Sequence, residues 1–90
     1  MLIVSYDISN TKLRTKFSKF LKKFGYRLQY SVFEIQNSDR ILDNVTTAIK
    51  NDFSKQFCQT DSIMIFKMSK TCEITKYGYA KNSDLDLIII

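Results

Sequence analysis

The chain has no histidine. That absence removes Ser-His-Asp and Cys-His nucleophile systems, histidine-ligated zinc and two-histidine acid–base hydrolysis of RNA. If the protein does chemistry, carboxylates and a hard cation such as magnesium are the route. Cysteine is scarce too. Cys58 and Cys72 stand outside any C-x-x-C pairing, and the expectation is two buried thiols. With 2 glycines there is no Gly-rich phosphate loop, and the chain has no repeat or low-complexity segment. No apolar run approaches the roughly 18–20 residues of a membrane span. No basic stretch precedes the apolar opening, which argues against a signal peptide and for a cytoplasmic protein without a membrane partner.

What is there suits one small globular domain over residues 1–90. The chain has 90 residues, 44% hydrophobic and 26% charged, a balance unlike that of a disordered chain. Its net charge of +5 is unevenly spread: between Ser9 and Arg27 there are seven basic residues and no acid. A one-sided basic segment fits a polyanion, with nucleic acid ahead of an anionic membrane surface.

The opening run Leu2-Ile3-Val4-Ser5-Tyr6-Asp7 reads as a strand over 1–7, apolar on both faces and therefore central. It delivers one carboxylate, Asp7, at its C-terminal end. Asp7 could be a functional acid at a sheet edge or an ordinary capping or turn aspartate. Ser9, Asn10 and Thr11 offer an N-cap for a first helix, and Gly25 offers its stop. Leu13, Phe17, Phe20, Leu21 and Phe24 fall within about 100° on a helical wheel. Lys12, Lys16, Lys19 and Lys23 fall within about 60° on one flank, with Arg14 on the other. That flank could track a phosphate backbone or be merely solvated; it lacks the acids of a mixed solubilising surface.

Residues 26–37 favour strand, and the break at Tyr30-Ser31 splits them into 26–30 and 32–37. Ser38 or Asn37 caps a second helix with the stripe Ile41, Leu42, Val45, Ile49 and Phe53. Residues 62–68 form another strand. Thr71 to Asn82 reads as a loop with a short strand near 73–76. Leu85 to Ile90 is apolar and β-branched, and needs a partner strand. The order β-α-β-β-α-β is the ferredoxin-like, split βαβ arrangement: a four-stranded antiparallel sheet with two helices on one face. The other face then needs a cover, which a second copy would supply.

Tyr6-Asp7-Ile8 after the first strand, Arg14, and the run Gly25-Tyr26-Arg27-Leu28-Gln29-Tyr30-Ser31-Val32-Phe33-Glu34 resemble a known family. It is the small CRISPR-associated protein that pairs with the CRISPR integrase in spacer acquisition. Ile74-Thr75-Lys76-Tyr77-Gly78 and the terminus Leu87-Ile88-Ile89-Ile90 resemble one branch of it. The resemblance implies a homodimer, with residues 82–90 as a dimerisation strand and Leu87, Ile88, Ile89 and Ile90 at the interface. It implies one divalent ion per dimer, usually magnesium, between two copies of Asp7, which would be both metal ligand and catalytic residue. Members of the family are assigned metal-dependent endonuclease activity on RNA or DNA. In the acquisition complex the dimer bridges two integrase dimers and holds a prespacer DNA duplex, and there its nuclease activity is dispensable.

The residues themselves add two points. One Asp7 per chain is too few for a magnesium site, and two-fold symmetry supplies a second. Nucleic-acid contacts are expected from Lys12, Arg14, Lys16, Lys19, Lys23 and Arg27. Tyr6, Ser9 and Ser31 could add polar contacts, though structural roles are commoner for such residues. A ferredoxin-like RNA-binding module is disfavoured, because Tyr30 and Phe33 lie on a run without the Lys/Arg-Gly-Phe signature.

Overall fold

A computed structural model describes residues 1–68 and 73–78. The elements run β1 (Leu2–Asp7), α1 (Thr11–Leu21), β2 (Gly25–Gln29), β3 (Val32–Ile35), α2 (Asp39–Asn51), a short 3-10 helix (Phe53–Gln56), β4 (Ser62–Lys67) and β5 (Glu73–Gly78). The sheet has the order β2-β3-β1-β4-β5, antiparallel at every pairing. Its first four strands carry the ferredoxin-like topology, in which each βαβ unit is split by a strand from the other. The expected central place of the opening strand is borne out, since β1 lies between β3 and β4.

β1 alternates cleanly. Leu2, Val4 and Tyr6 are buried while Ile3 and Ser5 are half-buried and Asp7 is exposed. Val4 pairs with Phe33 and Ile65, and Tyr6 with Ile63, so those side chains share one face. Against that face pack Leu13, Phe17 and Leu21 of α1 and Val45 and Ile49 of α2. Both helices therefore cover the same side. Phe17 is the centre of this layer, fully buried, with Tyr6 edge-on at 5.2 Å and Phe53 at 4.9 Å between ring centroids. Truncating such a ring to alanine costs about 3–5 kcal/mol.

Asn10 caps α1, its Oδ1 accepting from the Leu13 amide at 2.9 Å. Ser38 caps α2 through the Ile41 amide. The expected split at Tyr30-Ser31 is present, as a two-residue turn between β2 and β3, with a bulge between Arg27 and Gln29.

Several expectations need correction. The sheet has five strands, not four: β5 pairs with β4 over six positions, where a shorter strand inside a loop was expected. Gly25 does not stop α1. Lys22 is the C-cap, and Gly25 opens β2, where a Cβ would run into the Glu34 carbonyl of β3. Phe53 lies on the 3-10 helix beyond α2, yet still fills the core. Nor is β1 apolar on both sides, since its second face ends in Ser5 and Asp7. The tail 82–90, with Leu87, Ile88, Ile89 and Ile90, and also Cys72, lie outside the described residues. Among the described residues no helix is long and apolar enough to cross a membrane.

Candidate nucleic-acid interface and strand-end carboxylate

Asp7 ends β1 opposite Ser62 and projects with Ile3 and Ser5 from the sheet face away from the helices. It is exposed and caps nothing, because Asn10 takes the α1 cap. The capping alternative for Asp7 is thereby removed. The structural carboxylate nearby is Asp61, which the sequence reading passed over. Asp61 is buried at 1% exposure. Its Oδ1 accepts from the Ser9 amide at 2.9 Å and the Ser9 hydroxyl at 3.0 Å, and its Oδ2 from the Cys58 amide at 3.0 Å. Burial pushes the Asp61 carboxyl up, but these hydrogen bonds outweigh it and hold the group below its ordinary value. The effect is to clamp the chain leaving β1, two residues past Asp7, to the loop entering β4.

Cys58 corrects a further expectation, for it is exposed and not buried. Its Sγ lies 3.2 Å from the Ser9 hydroxyl and 3.4 Å from that of Thr60. Those hydrogen bonds, Ser9 first, hold its thiol below the ordinary cysteine value.

A hard divalent cation needs about six oxygens and commonly takes one or two carboxylates, with waters and phosphate completing the shell. Among the described residues no group of three or more acids, cysteines or histidines converges. Among the described residues the strand end offers Asp7 alone, with Ser62 across the ladder. That fits half of such a site, in an accessible position, and a second copy of Asp7 would fit the other half.

The basic residues fall into two groups. Lys16, Lys19 and Lys23 edge a groove between α1 and α2 floored by Phe20, Ala48 and Phe53, and Lys12 lies beyond its end beside Gln56. Lys16 is partly engaged, with Nζ 3.7 Å from Asp52 and 5.8 Å from the Phe53 ring centroid. The second group surrounds a pocket of about 290 Å³ between α1 and the β2–β3 turn, where Arg14, Lys19, Lys22, Arg27 and Tyr30 meet. Arg14 donates to the Ile8 carbonyl at 3.0 Å and to the Thr11 hydroxyl at 3.3 Å. Arg27 lies 5.3 Å from the Phe33 ring centroid. Burial raises the phenol of neighbouring Tyr6, and the charge of Arg27 partly offsets the rise. No ion pair among the described residues involves Lys12, Arg14, Lys19, Lys22, Lys23 or Arg27. Lys22 and Tyr30 had not been singled out as contacts. Lys22 was legible as part of the basic segment, whereas its approach to Arg27 depends on how α1 lies across the sheet.

The fold and this surface define a class: a ferredoxin-like domain with an accessible strand-end carboxylate beside an acid-free basic helix. The family model for the CRISPR associated protein Cas2 matches residues 1–75. A CRISPR-associated endoribonuclease Cas2 of Methanospirillum hungatei is 26% identical over 94 residues, covering 98% of this chain and 97% of that relative. A second Cas2 of the same organism is 35% identical over 72 residues, 79% of this chain and 73% of the relative. The Mycobacterium tuberculosis endoribonuclease Cas2 is 32% identical over 77 residues, 86% of this chain and 65% of the relative. No solved structure matches the chain significantly. The chain belongs to the Cas2 family.

Proposed function

We propose that this protein is a homodimeric nucleic-acid-binding scaffold of CRISPR adaptation, holding prespacer DNA and bridging integrase dimers. The observation that carries the reading is the basic surface of α1 and β2. Lys19, Lys22, Arg27 and the lysines of the groove are exposed and Arg14 is half-buried beside them, with one ion pair to another described residue, Lys16 to Asp52. Charges so arranged bind phosphate through counterion release, largely without regard to sequence. The sheet face opposite the helices gives a reason for pairing: it carries half-buried Ile3 and Met64 and the exposed Ile74. The test is copurification with the integrase, light scattering for the dimer, and duplex binding at several salt concentrations with divalent metal chelated. Metal-free binding that weakens steeply with salt, by a dimer, supports the scaffold. A monomer that binds only with metal sinks it.

A second reading, a magnesium-dependent phosphodiesterase, is favoured by the accessible Asp7 and by the names of the relatives. Two copies of Asp7 would hold the ion, whose chemistry when bound is to polarise a phosphoryl oxygen and acidify a water. This chain's part would be to offer the carboxylates, while Arg14 and Arg27 hold the flanking phosphates. Cleavage of RNA or DNA with magnesium, lost in Asp7→Asn, tests it.

A further inference from the structure

We propose that the pocket between α1 and the β2–β3 turn takes one unpaired nucleotide, its phosphate on Arg14, Arg27 and Lys22 and its base stacked on Tyr30. The inference rests on the nucleic-acid-binding reading above and assigns a specific ligand form to part of that surface. Tyr30 is 70% exposed, the most exposed of the large hydrophobic side chains described. Folding does not ask for it there. Two-residue hairpin turns favour glycine, asparagine or aspartate, and an exposed tyrosine leaves apolar ring surface in water. Among the described residues the cation set over its ring is the Arg14 guanidinium, 5.9 Å from the centroid.

Arg14 is already held in place. Two of its donors are committed to the Ile8 carbonyl and the Thr11 hydroxyl, which fixes the plane and leaves the rest of the fork to a phosphate. Arg27 and Lys22 add cations from β2 and the end of α1, and no acid lines the pocket. Its volume of about 290 Å³ lies at the small end of ligand pockets, room for one nucleotide unit. The distinction between paired and unpaired follows from stacking geometry. Within a duplex both faces of a base are covered by its neighbours, so only an unpaired or terminal base can lie on Tyr30. The Tyr6 amide donates to the Ser31 carbonyl at 3.1 Å, which ties this turn to the strand residue before Asp7. A nucleotide captured here lies at the same sheet end as the Asp7 carboxylate.

The experiment compares wild type, Tyr30→Ala and Tyr30→Phe on three labelled probes: a short single-stranded DNA, the RNA of the same sequence, and a small closed circular DNA duplex, which has no terminal base. Tyr30→Ala should weaken binding to the single strands about 5–150-fold, the usual worth of one stacked base. Duplex binding should stay within about twofold, because it rests on phosphate contacts. Tyr30→Phe should behave as wild type, since the stacking surface is kept. Loss on the RNA arm alone assigns the site to RNA, and loss on the DNA arm alone to DNA; either supports the platform. Equal losses on single strands and duplex, or no loss in Tyr30→Ala, overturn it while leaving the binding surface intact. Failure of wild type to bind any of the probes overturns both this proposal and the function it rests on.

Discussion

Replacing Asp61 with alanine removes the acceptor for two backbone amides and one hydroxyl. The amides belong to Ser9 and Cys58, at 2.9 and 3.0 Å from the carboxylate oxygens. Each donor left without a partner costs about 1–3 kcal/mol where water cannot replace it. Ser9 and Cys58 are themselves exposed, so water can reach part of the gap, and the lower end applies. The sum is about 2–3 kcal/mol, a large share of the stability of a domain this size. At about 4–8 °C per kcal/mol the melting temperature should fall by about 8–24 °C. Asp61→Asn keeps one acceptor and should lose about half as much. The pH dependence supplies an independent check. The folded-state value of Asp61 is depressed, so its stabilisation is fully present above the unfolded aspartate value and is lost as pH falls through the folded one. Wild type should therefore lose stability on acidification below about pH 4, the ordinary aspartate range, and Asp61→Asn should show a shallower acid limb. Thermal melts from pH 3 to pH 7 measure both. A change of under 3 °C at pH 7 in Asp61→Ala would refute the clamp.

The basic surface and the sheet yield three more expectations. Arg14→Ala and Arg27→Ala should each reduce the salt slope of duplex binding by about 0.9, measured by fluorescence anisotropy. Lys16→Ala should change it less, because Asp52 already neutralises part of that charge. Gly78→Ala should destabilise by about 1–3 kcal/mol in urea titration, because φ is +93° there and an added Cβ would meet the Asp61 carbonyl and lie 2.9 Å from the Ser62 Cα.

The two amphipathic stripes and the break at Tyr30-Ser31 are local patterns, and they were enough to specify the split βαβ order. Asp7 was legible because one acid follows an unbroken apolar strand. Asp61 was not, since its partners Ser9 and Cys58 come from two loops, and nothing around Asp61 marks it as buried. The length of β5 was missed because Glu73 to Gly78 alternates weakly, and its strand character comes from pairing with β4. Helix periodicity separated Lys12, Lys16, Lys19 and Lys23 from Arg14. It could not show that α1 lies so that Arg14, Lys22 and Arg27 converge on Tyr30. Cys58 was expected in the core by residue type alone, and the Asp61 clamp instead holds its loop at the surface.

Under the scaffold proposal this chain binds and holds nucleic acid through its basic surface, and turnover at Asp7 is not required for adaptation. Spacer integration with the copurified integrase, run on Asp7→Asn beside the Arg14→Ala/Arg27→Ala double variant, tests it most directly. Integration at the wild-type level in Asp7→Asn, with severe loss in the arginine variant, is the predicted result. Loss of integration in Asp7→Asn, with its duplex binding and dimer intact, would contradict the scaffold account and make Asp7 an essential catalytic group.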